Sequence, residues 1–176
     1  MQTMPESTQS FSSELPVIVY TRPANQPNLD WQELDRGPGV FHIPFGHEVA
    51  VRIKTIDNEQ LGQLVQDLKE LRSLRFLNLS ENRNITNEGA QHLRQLPQLT
   101  ALNLSSCSIT NPGLEPLRDL PKLEWLDISY CNRLSDPALK TLEVMRSLTW
   151  VDMQGCSGVS NGGFARVKRK TLKFHR

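Results

Sequence analysis

"LTALNLSSCSITNPGL", residues Leu99–Leu114, sets leucines at 99, 102 and 104 and an isoleucine at 109 around a cysteine, Cys107, among small polar residues. Neither a helical period of roughly 3.6 residues nor a sustained period of two accounts for that spacing. A composite unit does. Leu102 and Leu104 lie on one side of a brief strand, with Ala101, Asn103 and Ser105 on the other. A turn follows, and a returning segment carries Leu114 back toward the same apolar layer.

The unit recurs. Equivalent stretches begin at Leu74, Leu99, Leu123 and Leu148, at intervals of 25, 24 and 25 residues. Each reads L-x-x-L-x-L-x-x-(N/C), with Ile128 in the third unit's third apolar place and Val151 and Met153 in the last unit's second and third, then an aliphatic residue (Ile85, Ile109, Leu134, Val159), then a helix-like segment. Upstream, "EVAVRIKTIDNEQLGQLVQDLKELRS" reads as a degenerate first copy. Val49, Val51 and Ile53 make its strand. Asp57 with Gln60 forms a capping-box pattern, and Leu61, Leu64, Val65, Leu68 and Leu71 line one helix face. A single unit of this size cannot bury its own leucines. Stacked units share a continuous core, with a parallel sheet on one side and helices on the other.

This pattern resembles the leucine-rich repeat family, in particular the cysteine-containing type found in substrate-receptor proteins of ubiquitin ligases and in many bacterial proteins. The resemblance covers residues 74–171 strongly and 48–73 weakly. It implies an α/β right-handed solenoid, a horseshoe arc with a parallel sheet on its concave side and helices on its convex side. The ligase receptors carry a further helical adaptor-binding motif that this sequence does not show. A role as the recognition subunit of a larger enzyme complex is therefore a lesser reading.

Around the repeats, "LPVIVYT" (15–21) and "GVFHIP" (39–44) read as strands separated by a Pro- and Gly-rich stretch. The expected organisation is a disordered polar tail over 1–14, an N-terminal β cap over 15–47 and about five repeats over 48–171. A C-terminal strand with a basic end follows over 172–176.

Asn82, Cys107, Cys131 and Cys156 occupy one position in successive repeats, so they are expected to form an inward ladder bonded to neighbouring backbone. Asn bonds strongly there and Cys weakly. Intervals of 24 and 25 residues fit no zinc motif, and three reduced thiols suit a cytoplasmic protein. Thr86, Thr110 and Ser135 are the expected helix N-caps. Pro112 and Pro137 sit in first turns, where a missing N–H is harmless. Pro97 and Pro121 end the helical segments.

The outward strand residues form three columns: Ala50, Phe76, Ala101, Trp125, Trp150; Arg52, Asn78, Asn103, Asp127, Asp152; and Lys54, Ser80, Ser105, Ser129, Gln154. A solvated face favours polar residues, yet the first column exposes a phenylalanine and two tryptophans. Aromatic anchors beside a few charges describe a protein-binding surface. The expected partner-binding residues are Phe76, Trp125, Trp150, Asn78, Asn103, Asp127, Asp152, Arg52 and Tyr130, flanked by Arg75 and Glu124. Adjacent strands lie about 4.8 Å apart, so Trp125 and Trp150 are expected to stack. Asp127 and Asp152 would favour a basic partner. The competing reading packs the tryptophans against each other and against loops, which closes the face.

Composition excludes several classes. The 176 residues are 38% hydrophobic and 22% charged, with a mean hydropathy of −0.43. No apolar run has the length of a membrane span. The N-terminal stretch lacks a basic and an apolar region, so no secretory signal is read there. The net charge of +1 hides an asymmetry: residues 166–176 hold six of the 20 Lys and Arg and no acid. That basic segment is the alternative, a nucleic-acid or polyanion contact, which the acids of the sheet face oppose. "FHIPFGHE" brings His42, His47 and Glu48 together, but no nucleophile or third ligand accompanies them at motif spacing. Nucleotide-binding and zinc-protease motifs are missing. The expectation is a non-enzyme without cofactor or metal, binding an unidentified protein and no membrane.

Overall fold

The computed structural model describes residues 9–176. Among the described residues ten strands are formed: β1 (Gln9–Ser13), β2 (Ile18–Pro23), β3 (Gln32–Arg36), β4 (Gly39–Ile43), β5 (His47–Arg52), β6 (Leu74–Asn78), β7 (Ala101–Asn103), β8 (Trp125–Asp127), β9 (Trp150–Asp152) and β10 (Lys173–His175). Eight of them make one sheet in the order β10-β9-β8-β7-β6-β5-β2-β3. From β5 to β10 every pairing is parallel. β2 and β3 extend the sheet antiparallel at the other edge.

The expected tail over 1–14 needs correction. Residues 1–8 lie outside the described residues. Gln9–Ser13 form β1, paired antiparallel with β4 in a separate two-stranded sheet. Phe11 drives this pairing. Its ring stacks on Phe41 with centroids 4.9 Å apart, and both rings are buried.

Between strands the chain returns through helical segments: α1 (Asn58–Leu68), α2 (Asn87–Ala90) running into a 3₁₀ segment Gln91–Gln95, a 3₁₀ helix Asn111–Asp119, α3 (Pro137–Val144) and α4 (Asn161–Ala165). The expected α-helices are thus partly 3₁₀. Pro116 in the Asn111–Asp119 segment has no N–H to donate to an i−4 carbonyl, and the tighter winding follows. α1 is the longest, and Asp57 and Gln60 close a full capping box at its start. Leu93, Leu96, Leu117, Leu120, Leu139 and Leu142 from these segments join the strand leucines in one continuous buried cluster. Among the described residues no helix is long and apolar enough to cross a membrane.

One backbone feature marks the repeat independently of the leucines. Thr55, Glu81, Ser106, Tyr130 and Gly155 all have φ between 57° and 71°. The left-handed residue recurs at the strand-to-helix turn of all five repeats, the degenerate first included. Four of the five are not glycine, so the stacked turns impose a conformation that L-residues adopt at some cost.

Candidate functional site

The sheet face turned away from the leucine core carries the outward residues in register. Ala50, Phe76, Ala101, Trp125 and Trp150 are successive Cα partners, as are Arg52, Asn78, Asn103, Asp127 and Asp152. β2 continues the first column, because Tyr20 lies opposite Ala50. β10 ends it with Lys173 opposite Trp150, and places His175 opposite Asp152.

The tryptophans do not stack on each other. Trp125 meets Phe76 edge to face, ring centroids 5.9 Å apart at 86°, two strands away. The small side chain of Ala101 between them leaves the space for that contact. Trp150 lies parallel to His175, 6.5 Å away, and is 40% exposed. The aromatic row thus breaks into two pairs, Phe76–Trp125 and Trp150–His175.

The second column behaves differently from a row of free polar groups. Oδ1 of Asn78, Asn103, Asp127 and Asp152 accepts the backbone N–H two residues on, from Ser80, Ser105, Ser129 and Gln154, at 2.8–3.0 Å. The second carboxylate oxygens are also engaged. Asn103 Nδ2 donates to Asp127 Oδ2 at 3.1 Å, and His175 Nδ1 lies 2.8 Å from Asp152 Oδ2. These side chains fasten the strand-to-turn corner, so the expected attraction of Asp127 and Asp152 for a basic partner is largely answered within the protein. Such i to i+2 bonds are characteristic of Asn and Asp, a signal the residue types themselves carried.

Other charges on this side are paired as well. Glu48 sits between Arg22 (3.1 Å) and Arg75 (3.4 Å), and Lys54 meets Glu81 at 3.2 Å. Arg52 is different. It takes part in no ion pair among the described residues, and its Nε is buried without a hydrogen-bond partner. Beside it, Tyr20, Trp31, Ala50, Phe76 and Asn78 surround a hollow of about 150 Å³. Arg22 fixes one wall: its guanidinium lies 4.2 Å over the Trp31 ring and donates to Pro27 O. Sequence reasoning missed Tyr20 and Trp31. Tyr20 was recoverable from the alternation Ile18-Tyr20-Arg22, but Trp31 sits in a Pro-rich connection whose path has no period.

Tyr130 is 52% exposed. It sits at the left-handed turn after β8, its ring laid against Gly155, where a Cβ would collide with it. His42 is exposed on β4 and His47 bonds the carbonyl of Phe45. With Glu48 clamped by two guanidinium groups, the three do not converge.

In the interior, Asn82 Oδ1 accepts from Ile56 N (2.9 Å) while Nδ2 donates to Ile53 O and Leu79 O (both 3.0 Å). Cys107, Cys131 and Cys156 donate to Leu79 O, Leu104 O and Ile128 O at 3.2–3.3 Å. Each thiol therefore serves a carbonyl of the preceding repeat. Burial pushes the Cys107 thiol up to about 12 and that of Cys156 to about 11, and raises Cys131 too.

A second ladder runs along the helix starts. Asn58 bonds both Thr86 N and Thr86 Oγ1, Asn87 bonds Thr110, Asn111 bonds Ser135, and Asp136 bonds Ser160. Thr86 and Ser160 also cap their own helices. Thr110 and Ser135, expected to do so, do not; their hydroxyls accept from the preceding repeat's Asn instead. Gly89, Gly113 and Gly163 leave room for the incoming Asn or Asp, which a Cβ would strike.

The basic C-terminal segment is partly structural. The Arg169 guanidinium donates to the carbonyls of Glu143, Met145, Arg146 and Leu148. Arg176 lies 4.9 Å over Phe164. Lys168, Lys170 and Lys173 remain unpaired among the described residues.

Comparison with known proteins agrees with this architecture. The leucine rich repeat family matches residues 72–134. A solved structure, the crystal structure of the Rad7 and Elc1 complex in yeast, contains a chain that superposes with a TM-score of 0.58 at 19% identity. The match covers 70% of this chain and 31% of that one, so this chain spans under a third of its neighbour's length. The likeness concerns fold alone. No curated protein matches. The repeat spacing and the parallel sheet agree with the match over residues 72–134, which supports a leucine-rich repeat protein.

Proposed function

We propose that the protein is a non-catalytic interaction module that docks a partner protein on the concave face of its sheet. In this reading the repeats over 48–171 form a right-handed solenoid arc. Residues 15–47 act as its N-terminal β cap, 172–176 close its other end, and the protein works in the cytoplasm. The observation that carries the reading is the aromatic row. Phe76, Trp125 and Trp150 occupy the sheet face opposite the leucine core, and Trp150 keeps 40% of its surface exposed. Aromatic side chains beside fixed polar groups supply most of the energy in protein interfaces. That the neighbouring fold was solved within a complex of two proteins supports the same reading.

Partner recovery with the purified chain as bait provides the test. Trp125→Ala/Trp150→Ala should lose the partner that wild type retains. Val144→Asp, at a 55% exposed position on the helix side, should retain it. Trp150→Ala alone should shift the melting temperature by less than about 4 °C, equivalent to roughly 1 kcal/mol. Equal recovery by the double variant, or loss through Val144→Asp alone, would contradict the proposal.

A further inference from the structure

The hollow at the N-terminal end of the same sheet face has a chemistry the aromatic row lacks. Its walls are apolar and aromatic, from Tyr20, Trp31 and Phe76, and Ala50 supplies a low floor. Along one side stand two donor groups, Arg52 and Asn78, which are neighbours across β5 and β6. The Asn78 Oδ1 is already bonded to Ser80 N, so the side chain turns only its amide N–H groups outward. Arg52 has no carboxylate among the described residues, and its Nε is buried without an acceptor. The acid nearest in register on the outer strand, Glu33 opposite Tyr20, is held by Arg36 at 2.7 Å.

We infer that this hollow is a recognition pocket for an extended segment of the partner protein that presents one ring-sized apolar side chain beside a carboxylate. The inference rests on the concave-face reading above and names the chemistry it selects. Two observations support it. A volume of about 150 Å³ matches a void that takes up one benzene ring. The Arg52 Nε is sealed, but its two terminal nitrogens are neither buried nor bonded among the described residues, so they are open to donate charge-assisted hydrogen bonds to an arriving carboxylate. Arg22, clamped on Glu48 and Pro27, holds the Trp31 wall in place beforehand. Little ordering is then needed when the ligand enters.

Two small probes test this on the full chain: N-acetyl-L-phenylalanine, which carries the carboxylate, and N-acetyl-L-phenylalaninamide, which does not. The readout is the Trp31 indole N–H and Arg52 Nε–H resonances during titration. The acid should bind with a Kd of about 1 mM, in the range of a weak single-pocket ligand, and shift both signals; the amide should bind at least about tenfold more weakly. Arg52→Gln should abolish the difference. Val144→Asp, on the helix side, should leave acid binding unchanged; probe binding is measured without the partner, so failure of the pocket is read separately from failure of partner recovery. Equal binding of both probes, no shift at about ten times the expected Kd, or acid binding unaltered in Arg52→Gln would each overturn the inference.

Discussion

Removing the Asn82 side chain tests how successive repeats are tied together. Asn82 is 1% exposed and holds three backbone groups: Ile56 N at 2.9 Å, and Ile53 O and Leu79 O at 3.0 Å. In Asn82→Ala, Leu79 O keeps a partner, because the Cys107 thiol also donates to it. Ile56 N–H and Ile53 O are left buried without one. Each unsatisfied group costs about 1–3 kcal/mol, so the variant should lose about 2–5 kcal/mol. With a urea m-value of about 2 kcal/mol/M, the midpoint falls by about 1–2.5 M. Asn82→Cys makes the rung resemble the three below it. Its thiol reaches Ile53 O but accepts poorly from Ile56 N–H, so it should recover about half of the loss. Urea unfolding followed by both tryptophan fluorescence and far-ultraviolet circular dichroism gives the values. A loss under about 1 kcal/mol for Asn82→Ala, or no recovery with Cys, would refute this account of the ladder.

Three further tests address neighbouring features. Gly113→Ala places a Cβ against Asn87 Oδ1 and should cost about 1–3 kcal/mol. In an Asn87→Ala background the same change should cost at least about 0.5 kcal/mol less, and equal costs by double-mutant cycle would contradict the close approach. The three buried thiols make stability fall at alkaline pH. Their folded pKa values are raised above the ordinary 9.0, to about 12 for Cys107 and about 11 for Cys156. The neutral thiols therefore support the fold fully below pH 9 and lose that support as pH climbs through the folded values. Cys107→Ala/Cys131→Ala/Cys156→Ala should show a shallower decline of urea midpoint between about pH 8 and 11 than wild type, and a parallel decline would count against it. In native protein at pH 8 the thiols should resist a thiol-reactive dye, and all three should react in denaturant.

Much of the fold was legible because the leucine spacing states the strand register directly. Once Leu102 and Leu104 face inward, Ala101 and Asn103 must face out, and the columns across five strands follow. The Asn82–Cys107–Cys131–Cys156 positions were equally readable, since a single slot repeats at 24- to 25-residue intervals. What escaped was interaction between repeats through side chains whose local role looked complete. Thr110 and Ser135 resemble N-caps in sequence, yet each accepts from an Asn in the repeat before. The tryptophan pairing escaped for a different reason. Register puts Trp125 beside Trp150, but side-chain direction lets Trp125 reach across Ala101 to Phe76. β1 lay in a stretch rich in Ser and Gln, where one phenylalanine, Phe11, decides the structure by stacking on Phe41.

Hydroxyl-radical footprinting of the chain, free and with its partner bound, tests the docking claim most directly. Oxidation of Trp150, Trp125 and Phe76 should slow several-fold on binding, while that of the exposed helix-side Val144 stays unchanged. Protection confined to the helix side, with Trp150 oxidised at its free rate in the complex, would contradict the assignment of this face.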